Sequence, residues 1–115
     1  MSGRSECFIG FDTSNYTTSV AVCDGEGRVI ANLKRPLPVK AGERGLRQSE
    51  AVFEHVRNLP SLAGELSEVI KDRKPVAVGV SVRPRDAENS YMPCFLAGKS
   101  AAYSFGAALG LPVYE

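Results

Sequence analysis

The stretch FIGFDTSNYTTSVAVCDGEG, residues 8–27, decides the fold of this chain. Two apolar runs in it predict buried strands, and between them lie one carboxylate, Asp12, and seven uncharged polar side chains, residues 13–19. The second run leads into Asp24-Gly25-Glu26-Gly27, a strong signal for a hairpin turn. The chain therefore opens with antiparallel strands, and the polar turn between the first two needs a chemical explanation.

Size and composition indicate one globular domain. The chain has 115 residues, of which 43% are hydrophobic and 23% are charged, and its net charge is +1. This small charge gives no electrostatic argument for a nucleic acid or an anionic membrane as partner. No apolar run approaches the roughly 20 residues that span a bilayer, and the first residues lack the apolar core of a signal peptide. We therefore expect a cytoplasmic protein without a membrane segment.

The cysteines and the single histidine do not predict a metal site. Cys7, Cys23 and Cys94 are widely spaced in apolar surroundings, which is typical of reduced core thiols rather than of disulfide partners or metal ligands. His55 is the only histidine and cannot by itself form a zinc site. Because apolar residues surround it at helical spacing, we interpret His55 as a packing or polar surface residue rather than a catalytic one.

Periodicity along the whole chain predicts the element order β-β-β-α-β-α-β. The predicted strands are 7–11, 19–23, 28–33, 76–82 and 111–114, and the predicted helices are 50–70 and 95–109. Ser49 is the expected N-cap of the first helix, and Pro60 should kink that helix or start a second one. Helical crossovers join parallel strands, so the five-stranded sheet should be mixed. This is the α/β, ribonuclease-H-like arrangement that also forms the repeating half of actin-like ATPases.

The polar turn has the chemistry of a phosphate-binding hairpin. Concave rows of backbone N–H groups bind anions, hydroxyls add neutral donors, and a carboxylate can hold magnesium through water. The candidate cofactor-binding residues are Asp12, Thr13, Ser14, Asn15, Thr17 and Thr18, with Asp12 directed toward the metal. The alternative is a threonine-rich turn whose side chains only hydrogen-bond their own backbone.

The opening stretch resembles the start of the glycoprotease family, the TsaD-like tRNA threonylcarbamoyl transferases, formerly labelled O-sialoglycoprotein endopeptidases. The matching residues are Gly10, Asp12, Thr13, Ser14, Thr18, Ser19, Val20, Ala21 and Val22. Three later segments resemble the family in the same order, namely EHVRNLPSLAGEL at 54–66, VAVGVSVRP at 76–84 and FLAGKSAAYSFGAALGLPVYE at 95–115. The resemblance therefore covers residues 7–115.

This resemblance implies an actin-like fold of two similar halves, with a nucleotide and a metal in the cleft between them. Residues 7–115 would form the amino-terminal lobe of a divergent member, and the second lobe would be absent. The implied reaction transfers a threonylcarbamoyl group from its adenylate to adenosine of tRNA, and tRNA is a partner by this analogy alone. The intact parent would bind ATP or an adenylate with magnesium. This lobe alone should be inactive and hold neither tightly, with no metal ligand except Asp12 through water.

Two departures from the family pattern affect the site. Residues 15–18 stand where the family has Cys-Asp-Glu-Thr, so two acids are missing. The segment RPRDAENSYMP, residues 83–93, replaces a Gly-Pro-Gly loop and places Arg83 and Arg85 where the family has glycines. Both arginines can bind a phosphate or a carboxylate bidentately. The alternative is that they pair with Asp86 and Glu88 on a solvated loop.

Three hypotheses for the parent protein follow from these observations. It is an enzyme acting on an adenylate, a non-catalytic scaffold that pairs with an active partner, or the lobe of an actin-like small-molecule kinase. For partners, the resemblance implies a homodimer or a TsaB-like protein bound through helices 50–70 and 95–109. The small residues of the second helix permit either such a helix–helix contact or close packing on the sheet, and they are Gly98, Ala101, Ala102, Gly106 and Ala107.

Overall fold

The structure is a computed structural model that describes residues 4–14, 16–38, 47–84 and 93–115. Two candidate ligand-binding residues, Asn15 and Arg85, lie outside the described residues. The acids that we considered as partners of the arginines, Asp86 and Glu88, also lie outside them. The described site therefore consists of the remaining candidates.

The described residues follow the predicted element order. The strands are β1 (Ser5–Asp12), β2 (Thr17–Asp24), β3 (Val29–Pro36), β4 (Arg73–Val80) and β5 (Val113–Tyr114), and the helices are α1 (Gln48–Ile70) and α2 (Cys94–Leu109). Each of the first three strands continues beyond the apolar run that predicted it. The backbone hydrogen bonds between neighbouring strands continue past the last apolar side chain. Strand β1 thereby includes the carboxylate of Asp12.

The sheet is mixed, as predicted. Its strand order is β3-β2-β1-β4-β5, with β1 antiparallel to β2 and β2 antiparallel to β3. Strand β1 is parallel to β4, and β4 is parallel to β5. The carboxyl ends of β1 and β4 therefore meet at one edge of the sheet, and the turn between β1 and β2 lies at the same edge.

One face of the sheet packs against both helices and forms the core. Alternate residues of each strand point to this face, and the buried ones are Cys7, Ile9, Phe11, Val20, Val22, Val78 and Val80. Leu62 and Leu66 of α1 and Ala102 of α2 complete the cluster. The opposite face has smaller side chains around a shallow apolar groove of about 300 Å³, and its residues include Phe8, Gly10, Ala21, Cys23, Ala77, Gly79 and Tyr114.

The ends and the middle of the helices differ in part from the prediction. Helix α1 is a single helix through Pro60, so no second helix starts there. Pro60 has no backbone N–H, so the carbonyl oxygen of Val56 lacks its usual hydrogen bond within the helix. Val56 is exposed, so water can take the place of this donor. The predicted N-cap at Ser49 is wrong, because the helix begins at Gln48, two residues before the predicted start at residue 50. Arg47 occupies the N-cap position and makes no side-chain hydrogen bond there. Helix α2 ends as predicted at Gly110, whose φ of 70° suits glycine.

Candidate functional site

Asp12 is the last residue of β1 and lies exposed at the carboxyl edge of the sheet. Its Oδ1 accepts a hydrogen bond from the backbone N–H of Ser14 at 2.9 Å. The same oxygen accepts one from the hydroxyl of Ser81 at 2.7 Å. Ser81 directly follows β4, so this bond joins the turn after β1 to the end of the neighbouring parallel strand. Asp12 is thus held both by the turn that follows it and by Ser81, which is 69 residues away in sequence.

The geometry at Asp12 fits magnesium held through water together with a phosphate. Both of these hydrogen bonds go to Oδ1 of an exposed carboxylate, and neither uses Oδ2. Those residues contain no group of three histidine, cysteine or acidic side chains that would hold a metal without a ligand's help. Magnesium often keeps several waters and uses one or two carboxylates plus substrate phosphates, so a single carboxylate is sufficient for that role.

Thr13 packs between the strand and helix α2 rather than facing solvent. Its side chain is fully buried, its Oγ1 donates to the carbonyl oxygen of Cys94 at 2.8 Å, and it accepts from the backbone N–H of Gly98 at 2.9 Å. Alternation explains this position, because Thr13 follows buried Phe11 by two residues. A phosphate contact by the Thr13 hydroxyl would require both hydrogen bonds to break. We therefore correct its role from ligand donor to anchor of the turn.

Thr18 is the second anchor and contacts helix α1. It is fully buried, and its Oγ1 lies 2.7 Å from Nδ1 of His55, which is itself fully buried. The side-chain amide of Asn58 donates to the same hydroxyl at 3.0 Å. Thr18 therefore needs the same correction as Thr13, since its hydroxyl belongs to a buried polar cluster. The interpretation of His55 as a packing residue agrees with this position.

Of the turn residues that the structure describes, Ser14, Tyr16 and Thr17 keep their side chains near the surface. Ser14 and Thr17 are half-buried, and Tyr16 is 43% exposed. The carbonyl oxygen of Tyr16 accepts a hydrogen bond from the backbone N–H of Leu37 at 2.7 Å, which ties the turn to the chain after β3. With Asp12, these residues present a carboxylate, hydroxyls and an aromatic ring at one edge of the sheet.

Arg83 lies two residues beyond Ser81 and contacts an acid that the sequence did not suggest. Its Nη2 is 3.7 Å from Oε1 of Glu115. Nζ of Lys99 is 3.9 Å from Oε2 of the same carboxylate, and the hydroxyl of Tyr103 donates to Oε2 at 2.6 Å. That hydrogen bond and the nearby negative charge raise the pKa of Tyr103. Arg83 is therefore part of a polar cluster with α2 and the end of β5.

A separate apolar groove runs between the two helices. It has a volume of about 310 Å³, and its lining residues are Phe11, Val56, Leu59, Pro60, Ala63, Ala97, Ser100, Ala101, Ser104 and Phe105. Phe53, Val56 and Leu96 are each more than half exposed nearby. Within the described parts of the chain, no helix is long and apolar enough to cross a membrane.

The mixed five-stranded sheet and its two helices give the chain the actin-like ATPase fold. It superposes on YeaZ from Pseudomonas aeruginosa with a TM-score of 0.58 at 18% identity, covering 94% of this chain and 41% of that one. It also superposes on a ROK family transcriptional regulator, a homolog of E. coli MLC protein, with a TM-score of 0.52 at 11% identity. That alignment covers 96% of this chain and 27% of the regulator.

These similarities establish the fold, and the chain spans less than half the length of either structure. No protein-family profile matches the chain, and no curated protein sequence matches it. The TsaD-like resemblance therefore rests on the sequence motifs, and the activity that it implies is a proposal.

Sequence reasoning did not single out Ser81 or the cluster around Glu115. A signal for Ser81 was present, because it is the next-to-last residue of the predicted parallel strand 76–82, and carboxyl ends of parallel strands meet at one edge. The burial of Thr13 and Thr18 also follows from alternation with Phe11 and Val20. Glu115 had no such signal, since its contacts depend on where α2 lies against β5.

Proposed function

We propose that the turn between β1 and β2 binds the phosphates of ATP or of an adenylate together with magnesium. In this proposal the chain is the amino-terminal lobe of a TsaD-like protein resembling tRNA N6-threonylcarbamoyladenosine transferase. The observation that carries it is the position of Asp12, held by Ser14 and Ser81 where the carboxyl ends of β1 and β4 meet. Ligands of open α/β sheets bind outside the carboxyl ends of their strands.

The chemistry of the exposed groups supports this choice of ligand. Magnesium, when bound, would neutralise part of the phosphate charge, and Asp12 would hold it through water. The hydroxyls of Ser14 and Thr17 are neutral donors suited to phosphate oxygens. Thr13 and Thr18 orient the turn from below through α2 and α1. ATP and tRNA are cytoplasmic, so we place the protein there.

Binding by this chain should be weak, because it supplies one side of a site that the family pattern places between two lobes. We expect a dissociation constant of about 1 mM, which corresponds to a binding free energy of about −4 kcal/mol. This value is what half of the contacts of a two-lobed site would supply. Amide chemical shifts recorded during titration with ATP and magnesium should change at Asp12, Ser14, Thr17 and Ser81. Asp12→Asn should remove the magnesium-dependent part of these changes.

The matched control is Asp72→Asn, because Asp72 is an exposed aspartate in the turn before β4, at the opposite edge of the sheet. It should leave the titration as in the unmodified chain. Shift changes that leave Asp12, Ser14, Thr17 and Ser81 unaffected would overturn the proposal. An Asp12→Asn chain that still responds to magnesium and ATP together would overturn it as well. Neither outcome depends on the second lobe.

A scaffold function is the second candidate, and the groove between α1 and α2 supports it. Phe53, Val56 and Leu96 expose more than half of their surface beside this apolar groove. Exposed apolar patches of this kind are common at protein–protein interfaces. We propose that the occupant is a second copy of this chain, because a net charge of +1 gives little repulsion between copies. A TsaB-like partner on the same face is the alternative occupant, and a monomer in the sedimentation experiment described in the Discussion would rule out the second copy.

A further inference from the structure

Three hydrogen-bond donors from two segments converge on the carboxylate of Glu115. Arg83 follows β4, whereas Lys99 and Tyr103 lie one turn apart on α2. The tyrosine hydroxyl makes a hydrogen bond of 2.6 Å, but the two cations stand 3.7 Å and 3.9 Å from the nearest carboxylate oxygens. Charge-assisted N–H···O bonds are usually about 2.7–2.9 Å long. The carboxylate therefore does not satisfy the cations fully.

Among the described residues, this cluster holds more positive than negative charge, which favours an anion. Two cations face one carboxylate, and the side chains of Arg83 and Lys99 are 38% and 48% exposed. A guanidinium has five N–H donors and an ammonium has three, so both keep donors that one distant carboxylate cannot use. Because the carboxylate side chain is itself 33% exposed, it can rotate toward solvent without leaving a buried cavity.

We propose that Arg83, Lys99 and Tyr103 form a binding site for a phosphate group, and that Glu115 occupies the position of this anion in the free chain. A phosphate carries up to two negative charges and offers oxygens to all three donors at once, whereas the carboxylate has only two oxygens. Arginine binds such groups bidentately and lysine binds them as a point charge. The phenol of Tyr103 carries its proton at neutral pH and can donate it to a phosphate oxygen.

This site is independent of the magnesium site at Asp12. It uses no carboxylate as a ligand, and its donors are cationic or neutral, so phosphate should bind without any metal. The two sites share one edge of the sheet, because Ser81 and Arg83 follow the same strand. Failure of nucleotide binding at Asp12 would therefore leave this second site intact.

The test is titration of the chain with inorganic phosphate in the absence of magnesium, at constant ionic strength, followed by amide chemical shifts. Glu115→Gln removes the competing charge and should tighten phosphate binding about tenfold, which corresponds to about 1.4 kcal/mol. Arg83→Gln should weaken binding by at least a similar factor. The matched control is Arg57→Gln, an exposed arginine of α1 that lies over the ring of Phe53.

The proposal requires that binding tightens in Glu115→Gln and weakens in Arg83→Gln but not in Arg57→Gln. Unchanged or weaker binding in Glu115→Gln would show that this carboxylate does not compete with phosphate and would overturn the proposal. Equal losses in Arg83→Gln and Arg57→Gln would show binding through general positive charge, which also overturns it. Asp12→Asn should leave the titration unchanged, which separates this site from the proposed nucleotide site.

Discussion

The hydroxyl of Thr13 occupies the space that a side chain at position 98 would need. Its Oγ1 accepts a hydrogen bond from the backbone N–H of Gly98 at 2.9 Å and would lie 2.7 Å from a Cβ atom at that position. Real Cβ atoms essentially never approach another heavy atom so closely. The glycine therefore allows α2 to sit directly on the end of β1, and this contact positions the turn that follows Asp12.

Gly98→Ala should destabilise the fold despite the better helix propensity of alanine. The new methyl group must displace Thr13 and disturb its bonds to α2, and overpacking of this kind costs about 1–3 kcal/mol. Alanine recovers about 1 kcal/mol within a helix, so the free energy of unfolding measured in urea should fall by up to about 2 kcal/mol. Gly64→Ala is the control, because its Cβ would meet nothing within 4 Å on exposed α1. It should stabilise the chain, and a gain in both variants would contradict the packing argument.

Thr18→Val should also weaken the fold, through polarity rather than volume. Valine has nearly the same shape, but it removes the hydroxyl that contacts both His55 and Asn58. Loss of one partner in a buried polar cluster costs about 1–3 kcal/mol. The neighbouring substitution Thr17→Val changes the same chemistry at a half-buried position and should cost much less. Chemical denaturation of both variants measures this difference in the free energy of unfolding. If Thr18→Val and Thr17→Val were equally stable, the buried cluster would contribute little to stability.

Self-association through α1 and α2 stays a prediction, and the burial of each residue decides which substitution can test it. The small residues Gly98, Ala102 and Gly106 are buried, which supports packing of α2 on the sheet. Ala102 is fully buried in the core, so an arginine there would unfold the chain instead of testing an interface.

Ser104 is exposed and lines the groove between the helices, so Ser104→Arg is the suitable test. Sedimentation over a concentration series should show a dimer of the unmodified chain that dissociates in this variant. Glu68→Arg adds more positive charge at an exposed position outside the groove and should leave the dimer intact. A monomer at every concentration would refute the dimer and favour a different partner on this face.

The stability of the second hairpin should depend on pH through Asp24. Hydrogen bonds from the backbone N–H of Arg28 and of Glu26, together with the Arg28 side chain, lower the pKa of Asp24 below its usual value of 3.8. A lowered pKa means that the charged form favours folding, so this contribution is present above 3.8 and is lost as pH falls through the folded-state value. Thermal unfolding should show that Asp24→Asn loses stability at neutral pH.

The difference in stability between Asp24→Asn and the unmodified chain should become smaller as pH decreases from about 5 to about 2. Asp72→Asn is the control, because it shows how the removal of one negative charge from an exposed turn changes stability in general. A difference that stayed constant over this range would show that the charge of Asp24 does not support the hairpin.

Local patterns in the sequence were enough to predict the architecture. Alternation, helical spacing and the turn at Asp24–Gly27 depend on neighbours within a few residues, so the element order and the mixed sheet followed directly. Strand ends were less accurate, because ladder hydrogen bonds extend β1 to Asp12 beyond its apolar run. The cap at Arg47 could not be predicted from propensity, since its side chain makes no capping bond.

The candidate site depended far more on tertiary structure. The sequence grouped Thr13 and Thr18 with the exposed residues of the turn, but packing of α2 and α1 buries them as anchors. Asp12 meets Ser81 only because β1 and β4 are parallel neighbours, and Arg83 meets Glu115 only because α2 crosses from β4 to β5. Periodicity carries information about adjacent residues, whereas contacts between residues far apart in the chain depend on how whole strands and helices pack.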